Sequence, residues 1–164
     1  MTKKTAVTRF LTGKKVKHRV FSYSPEMTDS TQVAQSLGIP AKQVYKTLVA
    51  YETPKKRFLV MIPSKGQLDL KKLAKAVQAK KVRLATHREA ESWTRLKVGG
   101  ISVLALLNRG FKIFLDESAK MLEQVVVSAG ERGTNVQLPV ADLLKLTNGR
   151  FIDVAVPNSA LDSE

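Results

Sequence analysis

Lys46 sits inside an apolar run, Val44-Tyr-Lys-Thr-Leu-Val49. An unpaired ammonium is costly to bury, so a lysine at such a place needs an edge open to water or a cavity that holds an anion. A solvent-facing lysine alternating with apolar neighbours is the plainer reading. Gly99-Gly100 lets backbone approach a ligand closely and can aim amide N–H groups at an oxyanion, or can be a simple turn. Ser128-Ala-Gly-Glu-Arg-Gly133 joins two strand-like runs. It reads either as a tight turn whose glycines accept φ > 0, or as an amide nest with Arg132 ready to clamp a phosphate or carboxylate.

More familiar chemistry is missing. Cys is absent, which excludes a disulfide framework, thiolate metal sites and a thiol nucleophile from the protein. His18 and His87 are the only histidines, so no multi-histidine metal site can form within this chain. Gly13-Lys14 lacks the upstream glycine of a phosphate-binding loop. Gly100-Ile101-Ser102 resembles half of a nucleophile elbow, but Leu104 stands where the closing glycine should be. No local pattern supports a Ser-His-Asp triad or a carboxylate pair. The expectation is an unassisted site, with neither cofactor nor metal.

Charge points to the partner. Lys and Arg number 28 against 14 Asp and Glu, and the excess is uneven. Residues 1–100 carry 22 basic and 6 acidic side chains, whereas residues 101–164 carry 6 and 8. A basic surface of this kind suits a polyanion, because clustered cations release the counterions condensed on phosphates. Aromatic residues are only 6%, too few for base stacking across a wide sheet.

These groups must be positioned by a fold of modest size. The 164 residues, 43% hydrophobic, suffice for a single core, and no linker or repeat divides them, so one domain over 1–164 is expected. No signal-like segment is evident, and the longest apolar stretch, Ile101–Leu107, cannot span a bilayer. A soluble cytoplasmic protein is expected, and a monomer, since no heptad seam is visible. Residues 3–12 form an amphipathic helix and residues 18–23 a strand. A helix capped by Ser30 stops at Gly38 and reopens at Pro40. Residues 45–51 and 57–62 flank Thr53-Pro-Lys-Lys as a hairpin. Leu70, Leu73, Ala74 and Val77 mark a helix. Residues 81–85 read as a strand, followed by a helix from Thr86 through Trp93 with Glu89 completing a capping box. Trp93 reads as a packing residue. Strands follow at 111–115, 124–128 and 135–138. Pro139 opens a helix that Gly149 ends, and 151–156 is a last strand before a frayed tail. Asp142 and Asp153 read as surface residues. Helices and strands mix without strict alternation, so the expected class is α+β with a mixed, partly barrel-like sheet.

Several patches then agree with one family. Val44-Tyr-Lys-Thr-Leu-Val49, Gln67-Leu-Asp-Leu-Lys71, Val98-Gly-Gly-Ile-Ser102 and Val127-Ser-Ala-Gly-Glu-Arg-Gly133, with Asp142-Leu143 after them, resemble the YbaK/EbsC family. That family comprises stand-alone aminoacyl-tRNA deacylases related to the editing domain of some prolyl-tRNA synthetases. The resemblance covers roughly residues 20–155. It implies a mixed α/β barrel-like fold and trans-editing of a mischarged tRNA, Cys-tRNA(Pro) first, with prolyl-tRNA synthetase as a further partner. It also implies substrate-assisted cleavage, in which the substrate's own thiol attacks its carbonyl. Lys46, Gly99 and Gly100 fall on the family's catalytic positions. Tyr23, Ile101, Ser102, Ser128 and Arg132 fall on the substrate pocket. The chain departs from the family at Thr94-Arg95-Leu96, where many members have Thr-Gly-Tyr, at Val103, where many have proline, and at Thr28-Asp29-Ser30, which lacks a pocket aromatic. These departures leave open a deacylase for another amino acid or a tRNA-binding accessory module without catalysis.

Overall fold

A computed structural model of the chain describes residues 4–27 and 30–157. The chain opens with helix α1 (Ala6–Gly13), held at its start by a reciprocal Thr5–Thr8 capping box. Strand β1 (Arg19–Ser22) and helix α2 (Ser30–Leu37) follow. The cap expected of Ser30, the Thr28-Asp29-Ser30 departure and the tail after Pro157 lie outside what is described. Gly38 takes φ 68 and ends α2, and Pro40 precedes a short 3-10 turn at Ala41–Gln43, as the sequence requires.

The expected hairpin is the spine of the molecule. Strands β2 (Tyr45–Thr53) and β3 (Lys56–Pro63) pair antiparallel, and the Thr53 hydroxyl accepts from Lys55 N–H at 3.3 Å and Lys56 N–H at 3.2 Å. Strand β4 (Gly66–Leu68), not anticipated, leads into helix α3 (Leu70–Ala76), capped by Asp69. The strand expected over 81–85 shrinks to β5 (Arg83–Leu84), an edge strand with only β2 beside it. Helix α4 (His87–Thr94) carries the Thr86–Glu89 capping box foreseen from sequence.

The second half supplies β6 (Phe111–Asp116), β7 (Gln124–Glu131), β8 (Thr134–Pro139), helix α5 (Val140–Thr147), β9 (Arg150–Ile152) and β10 (Ala155–Pro157). Helix α5 ends at Asn148 rather than Gly149. Asn148 takes φ 55, a conformation that a short polar side chain tolerates. The single last strand expected over 151–156 is broken in two, because the buried Asp116 carboxylate accepts from Val154 N–H at 3.0 Å and Ala155 N–H at 2.9 Å. Those amides are withdrawn from the β6–β9 ladder, and the chain crosses to pair with β4.

Three sheets result, ordered β1-β8-β7, β10-β4 and β5-β2-β3-β6-β9. The α+β class is as expected, but the sheets do not close into a barrel. Val44, just before β2, forms an isolated parallel bridge with Val126 of β7, which brings the first and third sheets side by side. The five-stranded sheet is covered on both faces. Tyr45, Val49, Leu59, Met61, Ile113 and Leu115 face a core shared with α1, α5 and the inner side of β7. Ala50, Phe58, Val60, Ile62 and Phe114 face α3. Two-sided burial explains why β3 reads as an unbroken apolar run.

Asp116 is 4% exposed and also accepts from Ser118 N–H at 3.1 Å, so one carboxylate fixes the end of β6, the next turn and the start of β10. Removing it orphans buried amides. Asp116→Ala is expected to cost about 3 kcal/mol, and Asp116→Asn, which keeps one acceptor oxygen, less. Urea denaturation monitored by circular dichroism measures both.

Candidate active site at the divergence of two sheets

Lys46 and Ser128 each stand two residues beyond the Val44–Val126 bridge on neighbouring strands. Side chains alternate along a strand, so both lie on the bridge residues' own face. Ser128 is paired in register with Asn135 of β8, and Asn135 with Phe21 of β1. Tyr23, two residues past Phe21, donates from its hydroxyl to Asn135 Oδ1 at 3.4 Å. Strand register thus draws Lys46, Ser128, Asn135 and Tyr23 toward one region.

The Lys46 side chain is half-buried and makes no hydrogen bond or ion pair with any described residue. Burial lowers its pKa from the usual lysine value. Desolvation without compensation is a standing cost, which an anion brought to the site would relieve. Burial also raises the Tyr23 pKa, an effect partly offset by a hydrogen bond from the Gly133 backbone. The Tyr23 phenol is therefore a neutral donor at physiological pH.

Gly99 and Gly100 occupy a turn in which Gly100 N–H donates to the Lys97 carbonyl at 2.8 Å and Gly99 takes φ 95. Turn formation takes up the Gly100 amide. The amides of Gly99 and Ile101, not that of Gly100, are the ones without a partner among the described residues. Gly100 is required by the main chain packed against it, and Gly99 by its positive φ. A Cβ on Gly100 would lie 2.7 Å from the Arg132 backbone nitrogen, and one on Gly99 would lie 3.3 Å from Arg132 Nε. Arg132, read from sequence as a clamp for anions, is committed in part to this turn: its Nε donates to the Val98 carbonyl at 2.7 Å. Val98 N–H in turn donates to the Glu91 carboxylate at 2.9 Å, which ties the turn to α4.

Ile101 and Ser102 are 6% and 1% exposed. Ile101 packs into the main core, and the Ser102 hydroxyl caps the 3-10 turn Val103–Ala105 at Leu104 N–H. Both side chains are thus occupied in packing and capping within the fold. Ser128 accepts from Gly130 N–H at 3.2 Å within a bulge between Ser128 and Glu131, which bends β7 toward the glycine turn. Asn135 was missed by the sequence reading. Its signal was a polar residue at a strand position otherwise buried, Val136 and Leu138 being its neighbours.

Two departures from the family pattern can be located. Arg95 takes φ 60 at the end of α4, the conformation that glycine favours, so the backbone path is kept without the glycine. Val103 is fully buried in the core and forms no part of the site's surface.

A mixed α+β fold thus carries a lysine with no partner among the described residues, next to the strand whose hairpin covers the glycine turn. Comparison with known proteins supplies its class. A family model described as an aminoacyl-tRNA editing domain matches residues 24–146. A candidate Cys-tRNA(Pro)/Cys-tRNA(Cys) deacylase, EbsC, from Enterococcus faecalis is 35% identical over 153 residues, covering 92% of this chain and 93% of that one. The proline–tRNA ligase of a Sulfurihydrogenibium species is 33% identical over 111 residues, which are 67% of this chain and 19% of the ligase. A crystal structure of a candidate trans-editing enzyme for prolyl-tRNA synthetase superposes with a TM-score of 0.77 at 23% identity, covering 94% of this chain and 99% of the other. Another solved structure, of a hypothetical protein, has a TM-score of 0.82 at 20% identity and covers 92% and 99%. This chain belongs to the aminoacyl-tRNA editing domain family, as its resemblance to YbaK/EbsC implied, and its class of activity is aminoacyl-tRNA deacylation.

Two expectations follow from the geometry. Gly100→Ala forces the backbone of Glu131 and Arg132 apart from the turn and is expected to cost about 1–3 kcal/mol. Adding Arg132→Ala does not rescue it, because the clash is with main chain. Thermal melts of the single and double variants check this. For Lys46, a lowered pKa means that the unfolded chain binds the proton more readily between that pKa and 10.5, so stability rises with pH across that window. Lys46→Met is therefore expected to be at least as stable as the parent at pH 7, with its relative advantage shrinking above pH 10. Melts at the two pH values measure the difference.

Proposed function

We propose that this protein is a trans-acting deacylase that clears mischarged tRNA(Pro), with the cysteinyl ester as its first substrate. The observation that carries the reading is Lys46, a half-buried ammonium without a partner among the described residues. It stands beside Ser128, whose strand leads into the hairpin turn that covers Gly99-Gly100. An aminoacyl ester at a tRNA 3′ end places a ribose and terminal phosphates next to the scissile carbonyl. Lys46 neutralises and orients that phosphate-bearing end. The Gly99 and Ile101 amides donate to the carbonyl oxygen as negative charge develops, an interaction worth on the order of 3 kcal/mol per donor. Tyr23 and Asn135 border the amino-acid side chain; the Tyr23 hydroxyl holds Asn135 through Oδ1, which leaves the Asn135 amide N–H groups to donate.

The chain supplies no thiol, and in this reading the nucleophile is the substrate's own, as the resemblance to the YbaK/EbsC family implies. The cysteinyl thiol loses its proton and its sulfur attacks the ester carbonyl carbon. The C–O ester bond breaks, the ribose oxygen takes up a proton and leaves as the free hydroxyl, and the amino acid departs as a cyclic thiolactone that water later opens. Positioning supplies most of the acceleration in such an intramolecular step. Likeness to the proline–tRNA ligase supports tRNA(Pro) as the carrier and that synthetase as the functional partner. Arg95 keeps the left-handed backbone form at the start of the loop, which supports a catalytic protein over an accessory module without turnover.

Release of labelled amino acid from Cys-tRNA(Pro) tests the reading. Lys46→Ala is expected to lower kcat/KM at least 100-fold without loss of thermal stability. S-methylcysteinyl-tRNA, in which sulfur cannot cyclise, is expected to persist. Cleavage of the methylated ester at the parent rate would replace the thiol by water as nucleophile. Salt-sensitive tRNA binding with no release from any mischarged tRNA would establish the accessory module instead.

A further inference from the structure

Lys46 stands near the start of β2, and the strand's other end carries a different feature. There the strands β3, β6 and β9 all begin and β2 runs out into its hairpin. A cleft of about 1510 Å³ opens at this end, lined by nine lysines and arginines and only two acids. Lys14, Lys55, Arg57, Lys112, Lys145 and Arg150 come from five separate parts of the chain. Three of the six basic residues in the otherwise acidic second half, Lys112, Lys145 and Arg150, gather here. A merely soluble surface gives no reason for that convergence.

Local compensation does not account for it either. Glu52 is satisfied by Lys56 at 3.8 Å. The C-terminal ends of α1, α3 and α5 border the cleft, and each presents roughly half a negative charge. Three such ends offset less than two of the nine cations, and the two acids offset two more. A positive excess remains. Several of the cations are also held in place: Arg57 stacks 4.3 Å over Trp93 and Arg150 lies 5.8 Å from the Phe114 ring centre. Among the described residues the exposed large apolar side chains, Leu84 and Met121, lie outside the cleft, so its outward character is set by charge.

We infer that this cleft is the docking surface for the duplex arm of the tRNA whose charged end reaches Lys46. The inference rests on the function proposed above. Seven residues of β2 separate Lys46 from Thr53, about 23 Å at the rise of a strand. A single-stranded 3′ tail can span that distance from the ester to the first paired nucleotides, where the phosphates of two strands face the cations. Contacts of this kind read backbone charge and not sequence, so the cleft grips any acceptor arm of suitable shape and leaves selection of the amino acid to the Lys46 end.

The test measures binding of uncharged tRNA, so it stands apart from the chemistry. The triple variant Lys55→Glu, Lys112→Glu, Lys145→Glu changes side chains of the cleft. A control, Lys71→Glu, Arg88→Glu, Lys120→Glu, alters the net charge equally away from it. The cleft variant is expected to bind tRNA and an acceptor-stem minihelix at least ~30-fold more weakly at about 0.1 M salt, as the loss of counterion release at three phosphate contacts dictates, with a log–log salt slope shallower by about 2–3. The control should lose less than a third of that effect on a logarithmic scale. Equal losses in the two variants, with both still folded by circular dichroism, would overturn the docking surface and leave only a diffuse field. Cleavage of a minimal cysteinyl-adenosine ester, too short to reach the cleft, should be unchanged in the cleft variant; a matching loss there would also overturn it. If the parent binds tRNA through the cleft yet releases no amino acid from any ester, the deacylase reading falls and the docking surface stands.

Discussion

The candidate site turns on one constraint: a lysine ammonium partly withdrawn from water, with no partner among the described residues. Burial lowers the Lys46 pKa, and no described side chain offsets the cost. The folded protein tolerates it because the surrounding sheet is held by a two-sided apolar core, in which β3 contributes five consecutive buried residues from Phe58 to Ile62. A surface lysine would gain little from meeting a phosphate, since water and salt already screen it. A half-desolvated one gains more, which is why the function proposed above gives Lys46 the anionic end of the substrate.

The second element of the site is main chain. The glycine turn is fixed from three directions: Gly100 N–H to Lys97, Val98 carbonyl to Arg132, and Val98 N–H to Glu91. Its rigidity matters because amide dipoles help a reaction only when they are already aimed before charge develops. Arg132 shows how the roles divide. Its Nε donates to the Val98 carbonyl and helps position the turn, while the clamping of a ligand read from the sequence would fall to its remaining guanidinium nitrogens. The charged cleft lies at the opposite end of β2 from Lys46, so the docking proposed for it would act a strand's length from the ester.

Much of the fold was legible in the sequence. The β2–β3 hairpin, the Thr86–Glu89 capping box, the Gly38 stop and the helix after Pro139 all follow from local rules, and each was found where periodicity and capping put it. Misreadings arose where long-range contacts overrode local preference. Asp116 splits the final strand by taking up the amides of Val154 and Ala155 from 38 and 39 residues away. Gly149 was a reasonable helix stop, yet Asn148 adopts the left-handed conformation first. The strand over 81–85 lost most of its length because a lone edge pairing with β2 holds only two residues.

Residue types and spacing alone determined that the chain carries no thiol or histidine cluster, that it is strongly basic, and that Lys46 and the paired glycines were candidates whose plainer readings stayed open. These are properties of composition and local pattern, and no folding is needed to read them. Only the tertiary structure decided that β2 meets β7 at Val44–Val126, bringing Lys46 beside Ser128, that Asn135 joins Tyr23, and that cations from five stretches of chain converge on one cleft. Register between strands far apart in sequence is set by which faces the whole core can bury, and that balance is not written in any one segment.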